Sequence, residues 1–372
     1  MSEAYIIAGL RTPVAPRNGA FRSCEVSDLA APVLRALLMN TGVSGASIDD
    51  VILGNALYAG GNPARLVALA AALPTSTPAM TVDTQCCAGL DAILLAAARI
   101  RAGEAHAIVA GGVESYSRSP IRMHRPEKDG APPVPYSRPP FSPWPDSDPD
   151  LLQAAADLAK DRDITRAAQE RFAIESHAKA LRAGLQDEIV ALKGLERDAF
   201  ARKLTDRICA RMPLVAGDDA HGLTAATTAV EADAAAMVLV VSETLLSRAE
   251  KSHALRLRHG RRVGLDPAEP ALGAQAAARN VLSEAGRAPG VVEIMESFAP
   301  QAMAAIADLG LDPSSVNRGG GALSRGHPIG ASGAILTVRL FHEMRREPPG
   351  ALGLAAIAAA GGLGSAALFE RC

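Results

Sequence analysis

Short apolar runs alternate along the chain with stretches whose apolar residues recur every three or four positions. Residues 5–8 read as a strand closed by Gly9 and the turn-prone Arg11-Thr12-Pro13. Leu29, Val33, Leu34, Leu37 and Leu38 predict a helix over 27–39, with Ser27 and Asp28 as its start signal. Residues 51–54 read as a strand, 62–72 as a helix, 90–101 as a buried Ala/Leu helix and 107–110 as the next strand. The adjoining GGVES, 111–115, reads either as a strand-ending turn or as a place where two glycines let the main chain approach something closely. Residues 150–184 read as helix again, and AAAMVLVV at 234–241 as a buried strand returning to the sheet. Strand and helix in alternation predict a layered α/β fold with helices on both sides of a sheet.

Between 119 and 149, ten prolines interrupt any regular pattern, so this stretch is an excursion from the layered fold. We expect 119–220 to be an inserted, mostly helical subdomain, with 1–118 plus 221–250 as one half of the architecture and 251–372 as the other. An internal similarity supports two halves. A turn at Cys86 and a glycine-rich turn at 326–333 each precede a helix containing Ala-Ile-Leu, then a loop, a strand and a Gly-Gly corner. A duplicated architecture would set Cys86 and His327 face to face.

The chemistry concentrates at these two turns. VDTQCCAGL at 82–90 places Cys86 and Cys87 where a strand ends and a helix begins. Backbone N–H groups and the helix dipole there lower a thiol pKa and offer donors to an oxyanion. The competing reading is that one or both cysteines are small buried hydrophobes. In NRGGGALSRGHPIGASG, 317–333, Pro328 keeps His327 out of regular helix, so its imidazole projects from a loop and can hold a thiol as thiolate.

Composition removes several classes. A net charge of −2 gives no general attraction to nucleic acid or anionic membrane. The basic run RLRHGRR, 256–262, lacks interleaved aromatics and reads as a charged strand edge or a contact to a phosphorylated small ligand. Five cysteines without paired spacing argue against a disulfide framework, which makes a reducing, cytoplasmic setting the expectation. The first residues do not read as a signal peptide, and no apolar run is long enough to span a membrane. With 48% hydrophobic but only 3% aromatic residues, the core must be built from small aliphatic side chains that let helices pack tightly on a buried sheet.

Taken together, LRTP at 10–13, NPAR at 62–65, VDTQCCAGL, GGVES, the FAxxSxxKA run at 172–180 and above all GGALSRGHPIGASG at 320–333 resemble the thiolases. This family makes or cleaves 3-oxoacyl-CoA compounds by a Claisen reaction. The resemblance implies a duplicated α/β fold, two similar mixed five-stranded sheets in a layered α-β-α-β-α arrangement, with an inserted helical loop domain over the CoA site. It implies a CoA-dependent acyltransferase with a CoA thioester as substrate, no permanently bound cofactor and no metal. It also implies a homodimer or homotetramer, with 119–149 lying where subunit contacts are made. Carried over by residue, Cys86 matches the nucleophile that becomes the acyl-enzyme, and His327 matches the histidine that assists it. The backbone N–H groups of Cys86 and Ala360 match the oxyanion hole.

Departures from the family pattern are selective. The position of an Asn that holds a water near the CoA enolate is Met295, which cannot donate a hydrogen bond. The position of a second cysteine, which moves the α-proton, is Ala358. One branch of the family places that cysteine at the position of Ser297, so Ser297 and, less readily, Cys87 are possible auxiliaries. On the CoA side, Asp83 replaces an Asn, and AATTAVEADA at 225–234 replaces a polar loop, with Thr227 and Ala229 at its Asn and Ser positions. Acyl transfer to Cys86 keeps its parts, whereas proton transfer at carbon loses its usual agent. Three readings stand: a thiolase-type acyltransferase, an acyl-Cys86 enzyme that delivers to oxygen, nitrogen or water, and a catalytically impaired CoA-binding subunit.

Overall fold

The computed structural model describes residues 3–58, 60–246 and 251–372. Its nine principal strands are β1 (Ala4–Arg11), β2 (Asp50–Gly54), β3 (Ala79–Val82), β4 (Ala107–Glu114), β5 (Ala232–Ser242), β6 (Leu255–Gly264), β7 (Val291–Ile294), β8 (Leu352–Ala359) and β9 (Leu363–Arg371). They form one hydrogen-bonded path in the order β3-β2-β4-β5-β1-β6-β9-β8-β7. The path is mixed and made of two like halves. In the first, β2 runs parallel to β3 and β4, β4 is antiparallel to β5, and β5 is antiparallel to β1. In the second, β7 is parallel to β8, β8 antiparallel to β9, and β9 antiparallel to β6. The fifth position of the second half is reduced to Val316, which bridges Val292 in parallel. The halves join where Tyr5 and Ile6 of β1 pair with Arg256 and Leu255 of β6.

Among the described residues, eight helices of two turns or more accompany the strands: α1 (Val26–Thr41), α2 (Pro63–Ala70), α3 (Ala88–Arg101), α4 (Leu151–Asp161), α5 (Arg166–Arg182), α6 (Gly273–Ser283), α7 (Ala299–Asp308) and α8 (Ile329–Met344). Alternation along the strands sorts them into layers. Ile52, Ile108 and Ala110 face inward onto α3 and α8, together with Ala355 and Ile357 of the second half. Val51, Leu53 and Val109 face outward onto α1 and α2. Val292, Leu354 and Ala356 face the opposite way, onto α6 and α7. The result is helix, sheet, paired helices, sheet, helix. Because both faces of the strands are covered, they read as continuous apolar runs.

Several elements differ from the sequence expectation. The first strand continues through Gly9 to Arg11, since Arg11 pairs with Ala236 of β5 rather than turning. Helix α1 starts at Glu25, which forms a capping box with Asp28; Ser27 lies inside the helix. The expected single helix over 150–184 is two, broken where Asp163 takes φ 51° and Thr165 caps α5 through the Ala168 N–H. Irregular chain outweighs helix between 119 and 220, where only α4, α5 and the single turn Asp206–Cys209 are α-helical. GGVES is not a turn: Gly111 and Gly112 lie inside β4. A Cβ on Gly112 would stand 2.0 Å from the Gly330 carbonyl oxygen of α8.

That contact belongs to the crossing that builds the site. A Cβ on Gly89 of α3 would lie 2.8 Å from both Gly330 O and Ala334 N, and one on Gly333 of α8 would lie 2.5 Å from Leu90 N. The two central helices therefore touch backbone to backbone at their N-terminal ends. Glycine in GHPIGASG is required by this approach.

Two other motifs are structural. Arg11 of LRTP is fully buried and ion-paired at 2.6 Å to both Glu188 and Asp198, and Glu188 also pairs with Arg339 of α8 at 2.5 Å. This network ties the insertion to both halves, and removing one partner would leave a buried charge uncompensated at a cost of about 3–5 kcal/mol. In NPAR, Asn62 caps α2 and Arg65 donates to the Thr77 carbonyl at 2.6 Å and the Thr75 carbonyl at 2.8 Å. The basic run on β6 is neutralised in place. Arg256 and Arg258 pair with Glu370, His259 and Arg261 with Glu284, and Arg262 with Asp91. Among the described residues no helix is long and apolar enough to cross a membrane.

Candidate active site

Cys86 lies between β3 and α3 in a single turn of 3₁₀ helix, Gln85–Cys87. Gln85 enters that turn with φ 55°, a left-handed conformation costly for a residue with a Cβ. Asp83 secures it by accepting the Gln85 N–H at 3.0 Å, and Thr84 donates to Asp91 at 2.6 Å. The departure at Asp83 thus leaves a working brace for the turn.

His327 is presented from the other half. Its N–H donates to the Val230 carbonyl at 2.7 Å, and Glu231 bridges it in parallel. Gly326 before it has φ 112°, and a Cβ there would meet the Cβ of Ala232 at 2.8 Å. The 225–234 stretch therefore frames the histidine. It also holds the next wall of the site, since Ala229 N–H donates to Ser297 O and Thr227 O accepts from Ala299 N–H, both at 2.9 Å.

The two turns converge: His327 Nε2 lies 3.2 Å from Cys86 Sγ. The tautomer is assigned from the hydrogen bonds of Ser332, taking the Pro328 carbonyl as the acceptor of its hydroxyl hydrogen. The Ser332 hydroxyl donates its single hydrogen to the Pro328 carbonyl at 3.1 Å, so toward His327 Nδ1 at 2.7 Å it accepts. Nδ1 therefore carries the imidazole hydrogen, and Nε2 is free to accept from the thiol.

The electrostatics overturn the expectation of a depressed thiol pKa. Burial pushes the Cys86 thiol up to about 12, and the carboxylates of Glu114 and Asp83 add to the rise; a hydrogen bond from its own backbone N–H opposes them. Burial pushes His327 down to about 4. Loss of water around each group favours its neutral form, thiol on one side and imidazole on the other. Glu114, the acid of GGVES, is also buried, and desolvation raises it to about 7. Its carboxylate accepts from Asn55 Nδ2 at 2.9 Å and from the N–H groups of Ala56 and Gly330 at 3.0 Å, joining the first half to the start of α8.

Cys86 and His327 open into a cavity of about 80 Å³ that Ser297, Ala358 and Ala360 also line. Leu151 and Ala154 of α4, with Phe298, supply apolar cover from the far side. Cys87 is not in this cavity: it is buried, and its thiol donates to the Ile357 carbonyl at 3.6 Å. Met295 is buried in the central core, with its N–H on the Ala356 carbonyl at 3.0 Å. Among the described residues no group of three or more His, Cys, Asp or Glu is placed to hold a metal.

The FAxxSxxKA run on α5 reaches the histidine loop indirectly. Ser176 donates to Glu296 at 2.8 Å and accepts the Gly321 N–H at 3.0 Å; Asn317 donates to Glu296 at 2.7 Å, and Lys179 to the Val316 carbonyl at 3.0 Å. A Cβ on Gly321 would overlap the Glu296 carboxylate at 2.0 Å. Sequence reasoning names these motifs without their partners. It misses Ser332, Glu114 and Glu296 as individual residues, although the first two lie within motifs it picks out and the third stands between Met295 and Ser297.

Two facing turns thus present a cysteine and a histidine to each other on a duplicated α/β scaffold, with residues of the insertion lining the same cavity. The chain belongs to the thiolase family. Residues 4–244 match the family model "Thiolase, N-terminal domain" and residues 252–371 match "Thiolase, C-terminal domain". It is 37% identical over 376 residues to "Putative acetyl-CoA C-acetyltransferase YhfS" of Bacillus subtilis (strain 168), covering 99% of each chain. It is 34% identical to the similarly named VraB of Staphylococcus aureus (strain COL), covering 100% of each. Among solved structures it is similar to the Bacillus anthracis acetyl-CoA acetyltransferase, with a TM-score of 0.88, 29% identity and coverage of 100% of this chain and 99% of that one. The human mitochondrial 3-ketoacyl-CoA thiolase in complex with CoA gives a TM-score of 0.88 at 27% identity, covering 100% of this chain and 98% of that one.

Proposed function

We propose that this thiolase-family chain is a CoA-dependent acyltransferase that carries its acyl group on Cys86. The observation that supports this reading best is the 3.2 Å approach of His327 Nε2 to Cys86 Sγ at the mouth of a small apolar cavity. As an acyl-CoA enters, Nε2 takes the thiol proton while sulfur attacks the thioester carbonyl carbon. The carbonyl oxygen becomes an oxyanion, for which the N–H groups of Cys86 and Ala360 are the proposed donors. Collapse of the intermediate breaks the bond to the CoA sulfur, and imidazolium returns the proton to the departing CoA. The products are acyl-Cys86 and free CoA. Neutral partners suit this sequence, since the proton moves only as the bond forms.

The fate of the acyl group depends on Ala358, whose methyl group cannot carry a proton between substrate and solvent. This favours a second reading beside Claisen condensation, in which acyl-Cys86 passes its group to an alcohol, an amine or water. Ser297 stays in the cavity as a possible auxiliary, and Cys87 is set aside by its contact with Ile357. We also propose that the chain assembles as a homodimer or homotetramer, with Ile121, Met123, Val134 and Trp144 of the exposed 119–149 stretch available for contact.

The two chemical readings separate in one experiment. Acyl-enzyme is prepared, freed of excess acyl-CoA and divided among acetyl-CoA, a small alcohol or amine, and buffer. Appearance of 3-oxoacyl-CoA with acetyl-CoA supports the thiolase-type reading. Discharge by water or by a hydroxyl or amino acceptor without any carbon–carbon product supports the second, and an acyl-enzyme inert to all of them overturns both.

A further inference from the structure

Beside Cys86, one polar side chain is out of place. Gln301 stands in the first turn of α7, among its buried apolar residues, and is 2% exposed. Among the described residues neither its Nε2 nor its Oε1 has a hydrogen-bond partner. It lines the same cavity as Cys86 and His327, where most of the neighbouring wall is apolar, including Phe298, Leu151 and Ala154. A buried amide with both ends unmatched destabilises the fold, so a partner that arrives with a ligand gives it a purpose. A cavity of about 80 Å³ has room for only a handful of water-sized groups. That suits a short acyl chain.

Resting on the acyl-Cys86 reading, we infer that Gln301 is the specificity-determining residue of the acyl pocket and selects short chains that carry an oxygen beyond the thioester carbonyl. A keto oxygen accepts from Nε2. A hydroxyl does so too, and also donates to Oε1, using both ends of the amide. A plain hydrocarbon chain of the same length leaves both ends unpaired, and sites built to hydrogen-bond a substrate reject analogues that lack the matching group.

The test compares loading of Cys86 by acetoacetyl-CoA, 3-hydroxybutyryl-CoA and butyryl-CoA, followed by intact mass in the wild type and in Gln301→Met, which keeps length and loses both polar ends. The wild type is expected to load the two oxygenated chains about tenfold faster than butyryl, the worth of one hydrogen bond to an otherwise unpaired group. Gln301→Met should abolish that preference chiefly by gaining on butyryl. Its melting temperature should hold or rise, because an unmatched buried amide is removed. An unchanged preference together with a lower melting temperature would mean that Gln301 serves a resident water or the fold, and overturns the inference. Should Gln301→Met fail to fold, Gln301→Glu reads the same question, since an acceptor-only carboxylate should reject acetoacetyl while still taking 3-hydroxybutyryl; equal loading of the two overturns it. Loading of Cys86 with no wild-type preference overturns the assignment to Gln301 alone. No loading by any of the three removes the acyl-Cys86 reading with it.

Discussion

His327→Asn is expected to slow acylation of Cys86 by about 10²- to 10⁴-fold, the usual worth of a positioned general base. Asparagine keeps a polar group near Ser332 but cannot take the thiol proton. The pH dependence sharpens the test. With the thiol held up at about 12 and the imidazole down at about 4, both stay neutral from pH 6 to 9, so the wild-type rate should be nearly flat there. In the variant only preformed thiolate can react. The thiolate fraction grows tenfold per pH unit below the thiol pKa, so the variant's rate should climb with pH and the deficit should narrow. Rapid-quench intact mass at several pH values measures both. A wild-type rate as steep as the variant's, or a deficit of only a few-fold at pH 7, would contradict a proton path through Nε2.

The second large effect runs in the opposite direction. Ala358→Cys with Met295→Asn is expected to raise thiolysis of acetoacetyl-CoA by about 10²- to 10⁴-fold if, as the family resemblance implies, these positions carry the group that moves a proton at carbon and the donor toward the enolate. Ala358 lines the cavity of Cys86, so the new thiol would face the reacting atoms. Met295 is 1% exposed in the core, so its replacement by a smaller polar residue lowers the melting temperature, and Ala358→Cys alone is the stable control. Thiolysis is followed by loss of the 3-oxoacyl-CoA enolate absorbance. No gain in either variant, with acylation intact, would mean that the carbon chemistry is limited elsewhere in the pocket.

Much of this is legible in the sequence where a periodic signal or a backbone requirement leaves a trace. The strand and helix alternation predicts the layers, and the repeated turn before an Ala-Ile-Leu helix anticipates the meeting of Cys86 with His327. The failures have physical causes. Gly9 reads as a strand end although β1 runs on to Arg11; of the two readings of Gly111 and Gly112 the close main-chain approach holds, but its partners, backbone of β5 and of α8, have no local signature. The break near Asp163 is hidden because polar residues continue on both sides of it. A thiol placed before a helix reads as acidic, whereas the depth of burial that reverses this is a property of the assembled halves. Gln301 carries a faint signal, a single glutamine among the small apolar residues of APQAMAAIAD. Nothing in one sequence tells an unmatched buried amide from an exposed one.

The central claim is that Cys86 carries the acyl group, and the most direct test is intact mass after brief incubation with an acyl-CoA, beside Cys86→Ala under the same conditions. The account predicts one acyl group per wild-type chain, located on the peptide containing Cys86, and none on the variant, which should keep its fold. A modified Cys86→Ala chain, or a folded wild type that no short acyl-CoA modifies, would contradict it.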